Sequence, residues 1–297
     1  MKTSKKGLSL AARQGLTGLS FIAPWIIGVT VFFLVPLGNT LRYMFGDIQL
    51  GVGQVVYRFT GLENIREMFF RNPKNGRMIL ENLGTSVGTT LLVLVFSLFA
   101  ALLLNQRFRG RAVVRALFAL PIIVSSGVLL QVFKQDLFAQ SMTAEAGSIF
   151  RSSALEETLT GLGFGYEAVS FVTGMVDQIM DIIWKSGVQI LLFLAGLQAV
   201  PSALYEVSSV EGATAWQTFW KITFPLLMPY LVLNTIYTVI DAFTFYDNPV
   251  MTEIISLFRE MKYGWASVLS MAYSLVVFLL IGLVFWIFSR FHLYTEK

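Results

Sequence analysis

The sequence contains no cysteine and only one histidine, His292, among its 297 residues. Without cysteine the chain can form no disulfide, iron–sulfur cluster or thiolate metal site. His292 follows the last hydrophobic run, where an interfacial side chain is the simplest interpretation. Charged residues are scarce as well, at 13% of the chain, whereas soluble domains contain about 25%. The composition therefore argues against a soluble domain and against thiolate chemistry.

Hydrophobic residues make up 55% of the chain and gather in long runs that carry no charge. A helix needs roughly 20 apolar residues to cross a bilayer. Backbone polar groups cannot stay unpaired in lipid, so the runs should be helices. The six longest runs are Gln14–Leu41, Asn82–Gln106, Ala116–Phe133, Ser186–Tyr205, Ile222–Ile240 and Tyr263–Ser289. The sequence thus predicts an all-α, polytopic membrane protein with six transmembrane helices, of which the third is the shortest.

Basic residues cluster without acids at two places, before the first run and between the second and third. These clusters are Lys2, Lys5, Lys6 and Arg13, and then Arg107, Arg109, Arg111 and Arg115. Short, purely basic segments stay in the cytoplasm by the positive-inside rule, so both termini are predicted to be cytoplasmic. The net charge of +4 is explained by this topology and does not indicate nucleic-acid binding.

This topology divides the chain into four parts. Residues 1–41 hold a basic cytoplasmic tail and the first transmembrane helix, 42–81 an extracellular segment, 82–292 a transmembrane domain with five helices, and 293–297 a cytoplasmic tail. Within the transmembrane domain, 134–181 form an outer loop and 201–225 a cytoplasmic loop. A long loop without structure is unusual, so two short helices are expected near 152–160 and 166–180.

Several motifs of catalysis and nucleotide binding are missing from the sequence. It contains no GxxxxGK[ST] phosphate loop, and none of the motifs HExxH, GxSxG and CxxC. The chain is therefore not expected to bind and hydrolyse ATP through a phosphate loop. An intramembrane hydrolase built on a dispersed serine or aspartate stays open as an alternative, although the spans hold neither histidine nor cysteine.

The segment from Glu206 to Pro229 differs from lipid-facing sequence and follows the spacing E-x4-EGA-x5-F-x2-I-x2-P-x3-P. This pattern resembles the EAA loop of permease subunits from binding-protein-dependent ABC importers, whose usual form is EAAxxDGAxxxxxFxxIxxPxxxP. Val207 and Ser208 replace the two alanines and Glu211 replaces the aspartate. Each replacement roughly keeps size or charge, so docking of this loop on a partner is still expected.

Two further stretches resemble the carbohydrate branch of the family, the maltose-type importers. One leads into the loop and includes Leu204 and Tyr205. The other reads FTGLEN, ends at Asn64 and is followed by Asn82, as in the outer segment before the second span of sugar permeases. The glycine-rich ending that this branch commonly has after the fifth span is absent here. The resemblance indicates a sugar permease without identifying the sugar.

The resemblance implies a type I ABC importer permease fold in a bacterial or archaeal cytoplasmic membrane. It implies a non-catalytic subunit that transports a carbohydrate, with an oligosaccharide as the expected substrate, by alternating access. The expected partners are a second, similar but distinct permease, two ATP-binding subunits, an extracellular solute-binding protein and membrane lipid, with no nucleic acid. ATP and Mg²⁺ would be bound by the ATPase subunits, and no cofactor by this chain.

The resemblance assigns coupling to the ATPase to the cytoplasmic loop 201–225, which we call the coupling loop. A short helix over Ser209 to Gln217 is predicted to lie parallel to the membrane, kept narrow by Gly212 and Ala213. The predicted coupling residues are Glu206, Ser209, Glu211, Gly212, Ala213 and Trp216. The alternative is an ordinary amphipathic interfacial helix, but such a helix would carry more basic residues than the single Lys221 found here.

Polar residues within the spans form a second candidate site. Asn234 and Asp241 lie seven residues apart and so share a helix face, and an ionisable residue inside a membrane usually faces a cavity or a partner. Sugars bind through hydrogen bonds and aromatic rings. The predicted substrate path comprises Asn234, Tyr237, Asp241, Phe245, Trp184 and Gln189. The alternatives are hydrogen bonding between helices and, for Trp184, the interfacial aromatic belt.

A rival from another class is a stand-alone secondary transporter or channel for a polar solute. Such proteins are expected to show paired inverted repeats, broken helices and several buried acids for ion coupling. Only Asp241 is a candidate for that role, and six spans are few for the class.

Overall fold

The computed structural model describes residues 10–51, 54–106, 108–111, 113–116, 118, 153–245 and 248–292. Nearly all of these residues are helical. The α-helices are α1 (Leu10–Val29), α2 (Val35–Met44), α3 (Glu63–Arg66), α4 (Pro73–Asn105), α5 (Ser153–Gly161), α6 (Tyr166–Lys185), α7 (Gly187–Ala199), α8 (Ser202–Val210), α9 (Ala215–Thr218), α10 (Phe224–Thr244), α11 (Pro249–Arg259) and α12 (Tyr263–His292). Three π-helical segments are π1 (Thr30–Leu34), π2 (Glu67–Arg71) and π3 (Phe219–Thr223), and two strands are β1 (Gly46–Gly51) and β2 (Gln54–Phe59).

Four helical stretches among the described residues are long and apolar enough to cross a membrane. They are Thr17–Met44, Pro73–Asn105, Ala215–Thr244 and Tyr263–Arg290. The bent pair α6 and α7 makes a fifth if it is taken as one span. The predicted third span, Ala116–Phe133, lies outside the described residues apart from 116 and 118. The helical, membrane-spanning character is thus confirmed, while the number of six spans stays a prediction.

The fourth predicted span, near 182–200, is not a single straight helix. The chain breaks at Ser186, and α6 and α7 meet there at 53°. The two helices expected near 152–160 and 166–180 are present as α5 and α6, but α6 continues to Lys185. Hydropathy did not locate the break because apolar residues lie on both sides of Lys185 and Ser186.

The segment at 42–81 contains a β-hairpin, so the prediction of an all-α chain was wrong at this point. Strands β1 and β2 pair antiparallel, with Gly46 opposite Phe59 and Gly51 opposite Gln54. Asn64, at the end of the FTGLEN stretch, is buried and its side-chain amide donates to the backbone oxygens of Met44 and Gly46 at 3.2 and 2.9 Å. This motif asparagine therefore anchors the beginning of the hairpin.

Each π-helical segment ends two residues before a proline. The prolines are Pro36 after π1, Pro73 after π2 and Pro225 after π3. Proline lacks the N–H donor and its ring clashes with the carbonyl one turn earlier in an α-helix. A wider turn before the proline relieves that clash while the remaining backbone groups keep partners. The helix therefore passes Pro36 and Pro225 without a break in α1–π1–α2 or in π3–α10.

The chain divides into two compact units. The first comprises Met1–Glu81 with Tyr246–Val276. Its buried side chains include Met68, Val250, Val268 and Leu269, and the amide of Asn248 donates to the Tyr273 hydroxyl at 2.7 Å.

The second unit comprises Asn82–Phe245 with Val277–Lys297. Its core joins α4, α7 and α10 through buried aliphatic side chains and one aromatic ring. These residues are Leu94, Ala100, Ala101, Leu104, Ile190, Phe193, Leu194, Leu197 and Leu227. Within this core α7 runs antiparallel to α10, and Gly196 lies directly against the Tyr230 ring.

We expect Gly196→Ala to destabilise this packing. A Cβ at Gly196 would lie 2.6 Å from Cγ of Tyr230, and such overpacking costs about 1–3 kcal/mol. Thermal unfolding of the purified protein in detergent should show a lower midpoint. Gly88→Ala in α4 is the matched control, because a Cβ there meets nothing within 4 Å. Equal midpoints for the two variants, or no recovery when Tyr230→Ala is added to Gly196→Ala, would contradict the close contact.

Candidate functional sites

The coupling loop folds as two short helices joined by a turn, so the single helix predicted over Ser209 to Gln217 was wrong. Helix α8 ends at Val210, and α9 begins at Ala215. Gly212 between them has a φ of 74°, a left-handed conformation that favours glycine. The break between Val210 and Ala215 was not predicted, because Gly212 was interpreted as a residue that keeps one continuous helix narrow for a partner.

Hydrogen bonds around Gly212 form a Schellman motif at the end of α8. The Gly212 N–H donates to the Ser209 oxygen at 3.1 Å, and the Ala213 N–H donates to the Ser208 oxygen at 3.0 Å. These two bonds satisfy carbonyls that the helix end would otherwise leave unpaired. A Cβ built on Gly212 meets nothing within 4 Å in this chain. The glycine is therefore required by the backbone conformation, and the space beside it is open.

A capping box starts the next helix. The Thr214 hydroxyl accepts from the Gln217 N–H at 3.3 Å, and the Gln217 side-chain oxygen accepts from the Thr214 N–H at 2.9 Å. Such a reciprocal pair satisfies two unpaired donors at a helix start. Helix α9 then continues through π3 into α10 as one stretch, Ala215–Thr244. The coupling loop is thus joined to a membrane-spanning helix without an intervening flexible turn.

Two hydroxyl pairs hold α8 against this continuous stretch. The Ser208 and Thr218 hydroxyls are 2.5 Å apart, and the Tyr205 and Thr223 hydroxyls are 3.2 Å apart. Ser208 is buried and stands where the usual EAA pattern has alanine. Sequence reasoning treated Ser208 as a departure that changes little, whereas the structure gives it a specific partner.

The predicted coupling residues lie on the outside of this two-helix hairpin. Five of them are exposed and Ala213 is half-buried; the exposed residues are Glu206, Ser209, Glu211, Gly212 and Trp216. The structure adds apolar neighbours that were missed, Val207 at 56% and Val210 at 88% exposure. Val207 and Val210 could have been identified from the sequence, because they are apolar residues that lie outside the long hydrophobic runs. Their role in docking stays a prediction.

The predicted substrate-path residues divide into a buried pair between α7 and α10 and a more exposed group that includes Trp184 on α6. Gln189 and Asn234 are fully buried, and the Asn234 amide donates to the Gln189 backbone oxygen at 2.9 Å. This bond crosses from α10 to α7 and fits the alternative of interhelical hydrogen bonding. The two side-chain oxygens have no partner among the described residues, and so keep capacity to accept a hydrogen bond.

The other path residues lie nearer the end of α10 that is farther from the coupling loop. Tyr237 and Trp184 are exposed, at 36% and 42%, whereas Asp241 and Phe245 are half-buried. Tyr237 and Asp241 lie one turn apart and interact electrostatically. The structure brings Lys185, which was not predicted, beside this group. Solute could reach these side chains more readily than the buried Gln189–Asn234 pair.

Metal binding finds no support in the part of the chain that the structure describes. No group of three or more histidine, aspartate or glutamate side chains is placed there to hold an ion. Both candidate sites therefore offer hydrogen bonds, charges and apolar contacts.

Similar proteins point to one family. The chain is 30% identical to the probable ABC transporter permease protein YesP of Bacillus subtilis over 242 residues. This aligned region covers 80% of this chain and 74% of that protein. It is 26% identical to the multiple sugar-binding transport system permease protein MsmF of Streptococcus mutans, over 90% of this chain and 92% of that protein.

The fold also resembles a solved transporter. The structure matches one chain of a bacterial alginate ABC transporter with a TM-score of 0.68 at 17% sequence identity. That transporter was crystallised in complex with an alginate pentasaccharide-bound periplasmic protein. The match covers 94% of this chain and 96% of that one. Residues 107–293 match the family described as binding-protein-dependent transport system inner membrane component. The chain belongs to this family of ABC transporter permeases.

Proposed function

We propose that the chain is the permease subunit of an ATP-driven importer that carries a carbohydrate, an oligosaccharide by preference, across the cytoplasmic membrane. The observation that carries this proposal is the shape of the coupling loop. Its two helices present Val207, Val210 and Trp216 outward, together with the carboxylates of Glu206 and Glu211. Exposed apolar and aromatic side chains surrounded by charge are typical of a protein docking surface.

The transported class is proposed from relatives. MsmF is named for multiple sugar-binding transport, and AraP of Bacillus subtilis, 28% identical over 77% of this chain, for arabinooligosaccharides. The alginate transporter was solved with a sugar-loaded periplasmic protein. A solute-binding protein is therefore the expected donor of solute to this chain. A second permease and two ATPase subunits complete the proposed importer, and ATP with Mg²⁺ is assigned to the ATPases.

The continuous stretch α9–π3–α10 supplies a route for coupling. A movement imposed at Ala215 by a docked ATPase is passed along the helix to Asn234 and Asp241, because no flexible turn interrupts Ala215–Thr244. The contacts of Gly196 and Gln189 with α10 require α7 to follow. Alternating access then takes the form of a rigid-body movement, driven by different affinities of the partners for two states.

Reconstitution tests the function directly. The chain, its partner permease, the ATPase and the binding protein are placed in proteoliposomes and supplied with neutral arabino- and malto-oligosaccharides. Uptake should require ATP, the ATPase and the binding protein, and the purified chain should hydrolyse no ATP. Uptake by the chain alone, driven by an ion gradient, would support the stand-alone transporter instead.

Gly212→Trp should abolish ATP-driven uptake, since the side chain would fill the open space where the ATPase is proposed to dock. Gly163→Trp is the matched control: Gly163 also ends a helix, α5, in a left-handed conformation with nothing within 4 Å. The same pattern of backbone hydrogen bonds surrounds it. Both variants should carry the same conformational cost of about 1–2 kcal/mol. Equal uptake, or equal ATPase binding in pull-down experiments, would count against docking at Gly212.

Ser208→Ala should loosen the coupling loop, because the Thr218 hydroxyl loses its buried partner. The loss of one hydrogen bond costs about 0.5–1.5 kcal/mol, so hydrogen exchange over residues 202–218 should become faster and ATP hydrolysis less tightly coupled to uptake. Ser209→Ala serves as control, since Ser209 is exposed and bonds only within its own helix. Unchanged exchange in Ser208→Ala would show that the hydroxyl pair does not hold the loop.

A further inference from the structure

Two buried amide side chains lie at the contact between α7 and α10. Gln189 on α7 and Asn234 on α10 are only 1% and 0% exposed. Nδ2 of Asn234 donates to the backbone oxygen of Gln189 at 2.9 Å. Because a carbonyl oxygen can only accept, this bond fixes which end of the Asn234 amide is the donor. The other end of the amide, Oδ1, is therefore an acceptor.

Neither amide oxygen receives a hydrogen bond within the part of the chain that the structure describes. Oδ1 of Asn234 and Oε1 of Gln189 are both buried there without a partner. The neighbouring hydroxyls of α10 are already used. Thr235 donates to the Leu231 backbone oxygen at 2.7 Å, and Thr238 donates to the Asn234 backbone oxygen, also at 2.7 Å. A hydroxyl has one proton to donate, so neither threonine can serve an amide oxygen at the same time.

A buried acceptor without a donor is costly, and such groups are rare in folded proteins. Buried polar groups that the chain itself leaves unpaired are commonly satisfied by an ordered water molecule. The surroundings favour such a bond, because Ile190 and Phe193 of the same core are fully buried and hydrogen bonds are stronger where solvent is excluded. Two unpaired acceptors on adjacent helices thus call for a ligand that donates hydrogen bonds.

The ligand that fits is a neutral O–H donor. Ca²⁺ and Mg²⁺ take about six or more oxygen ligands, carboxylates among them, whereas Gln189 and Asn234 offer two uncharged oxygens. A hydroxyl group donates its proton without bringing a charge that must be desolvated. Water and a hydroxyl-rich solute share this chemistry.

We propose that Oε1 of Gln189 and Oδ1 of Asn234 form a binding site for O–H donors between α7 and α10, occupied by water or by a hydroxyl of the transported solute. The solute as occupant rests on the proposed function, whereas water does not. Gln189 is the residue to change, because its bond with Asn234 comes from its backbone oxygen. A new side chain at this position removes Oε1 and leaves that bond in place.

Gln189→Met and Gln189→Leu test for water in the purified full chain in detergent, without solute. If water bonds to Oε1, both variants should lower the midpoint of thermal unfolding by about 2–4 °C, because a hydrogen bond is lost. An empty site gives the opposite sign, because removal of an unpaired buried oxygen raises the midpoint. Gln198→Met and Gln198→Leu are the matched controls, since Gln198 is exposed on the same helix, and they should leave the midpoint unchanged.

Uptake by the reconstituted importer tests for a solute hydroxyl. If a sugar hydroxyl bonds to Oε1, Gln189→Met should raise the apparent KM for the neutral oligosaccharides about 2- to 10-fold, as expected for one lost hydrogen bond. Both Gln198 variants should keep the wild-type KM. An unchanged KM, together with a midpoint that does not fall in both Gln189 variants, would overturn the proposal. Absence of uptake by the wild-type importer would overturn the sugar assignment instead, and the midpoints would still decide whether water is bound.

Discussion

The antiparallel packing of α7 against α10 is the contact on which both candidate sites depend. Near the coupling loop the backbone at Gly196 lies against the Tyr230 ring, and in the middle the Asn234 amide bonds to the Gln189 backbone oxygen. At the far end Lys185, the last residue of α6, lies over the Phe245 ring at 4.9 Å. The contacts of Gly196 and Gln189 both join α7 to α10, so these two helices cannot slide past one another without losing them.

The backbone of the membrane-spanning helices is constrained by the need to pair every polar group. Proline has no N–H and so leaves a carbonyl oxygen without its helical partner, and yet three prolines stand in the first turn of a helix, two residues after a π-helical segment. The wider turn lets α10 continue from the coupling loop past Pro225. This continuity connects the exposed coupling loop to buried residues of the second unit such as Asn234. A flexible loop at the same place would separate the two.

Sequence patterns predicted the positions of most membrane-spanning helices and the family. Charge-free runs located the spans that the structure describes, and the spacing from Glu206 to Pro229 identified the family that the comparisons show. The misses have local physical causes. Gly212 was interpreted as keeping a helix narrow because spacing carries no information about φ, and the hairpin before Asn64 was missed because only an extracellular position was predicted for this segment. The roles of the coupling and path residues stay predictions.

The sequence by itself determined that this chain contains membrane-spanning helices and that one segment outside them carries the spacing of the family, because hydropathy and motif spacing are properties of neighbours along the chain. Only the tertiary structure decided which polar residues meet. Gln189 and Asn234 are 45 positions apart and are joined by a hydrogen bond, and Ser208 pairs with Thr218 only because the chain turns back at Gly212. Contacts of this kind depend on where helices break and on the angles at which they cross. Both are set by side-chain packing and backbone conformation, which no local sequence pattern contains.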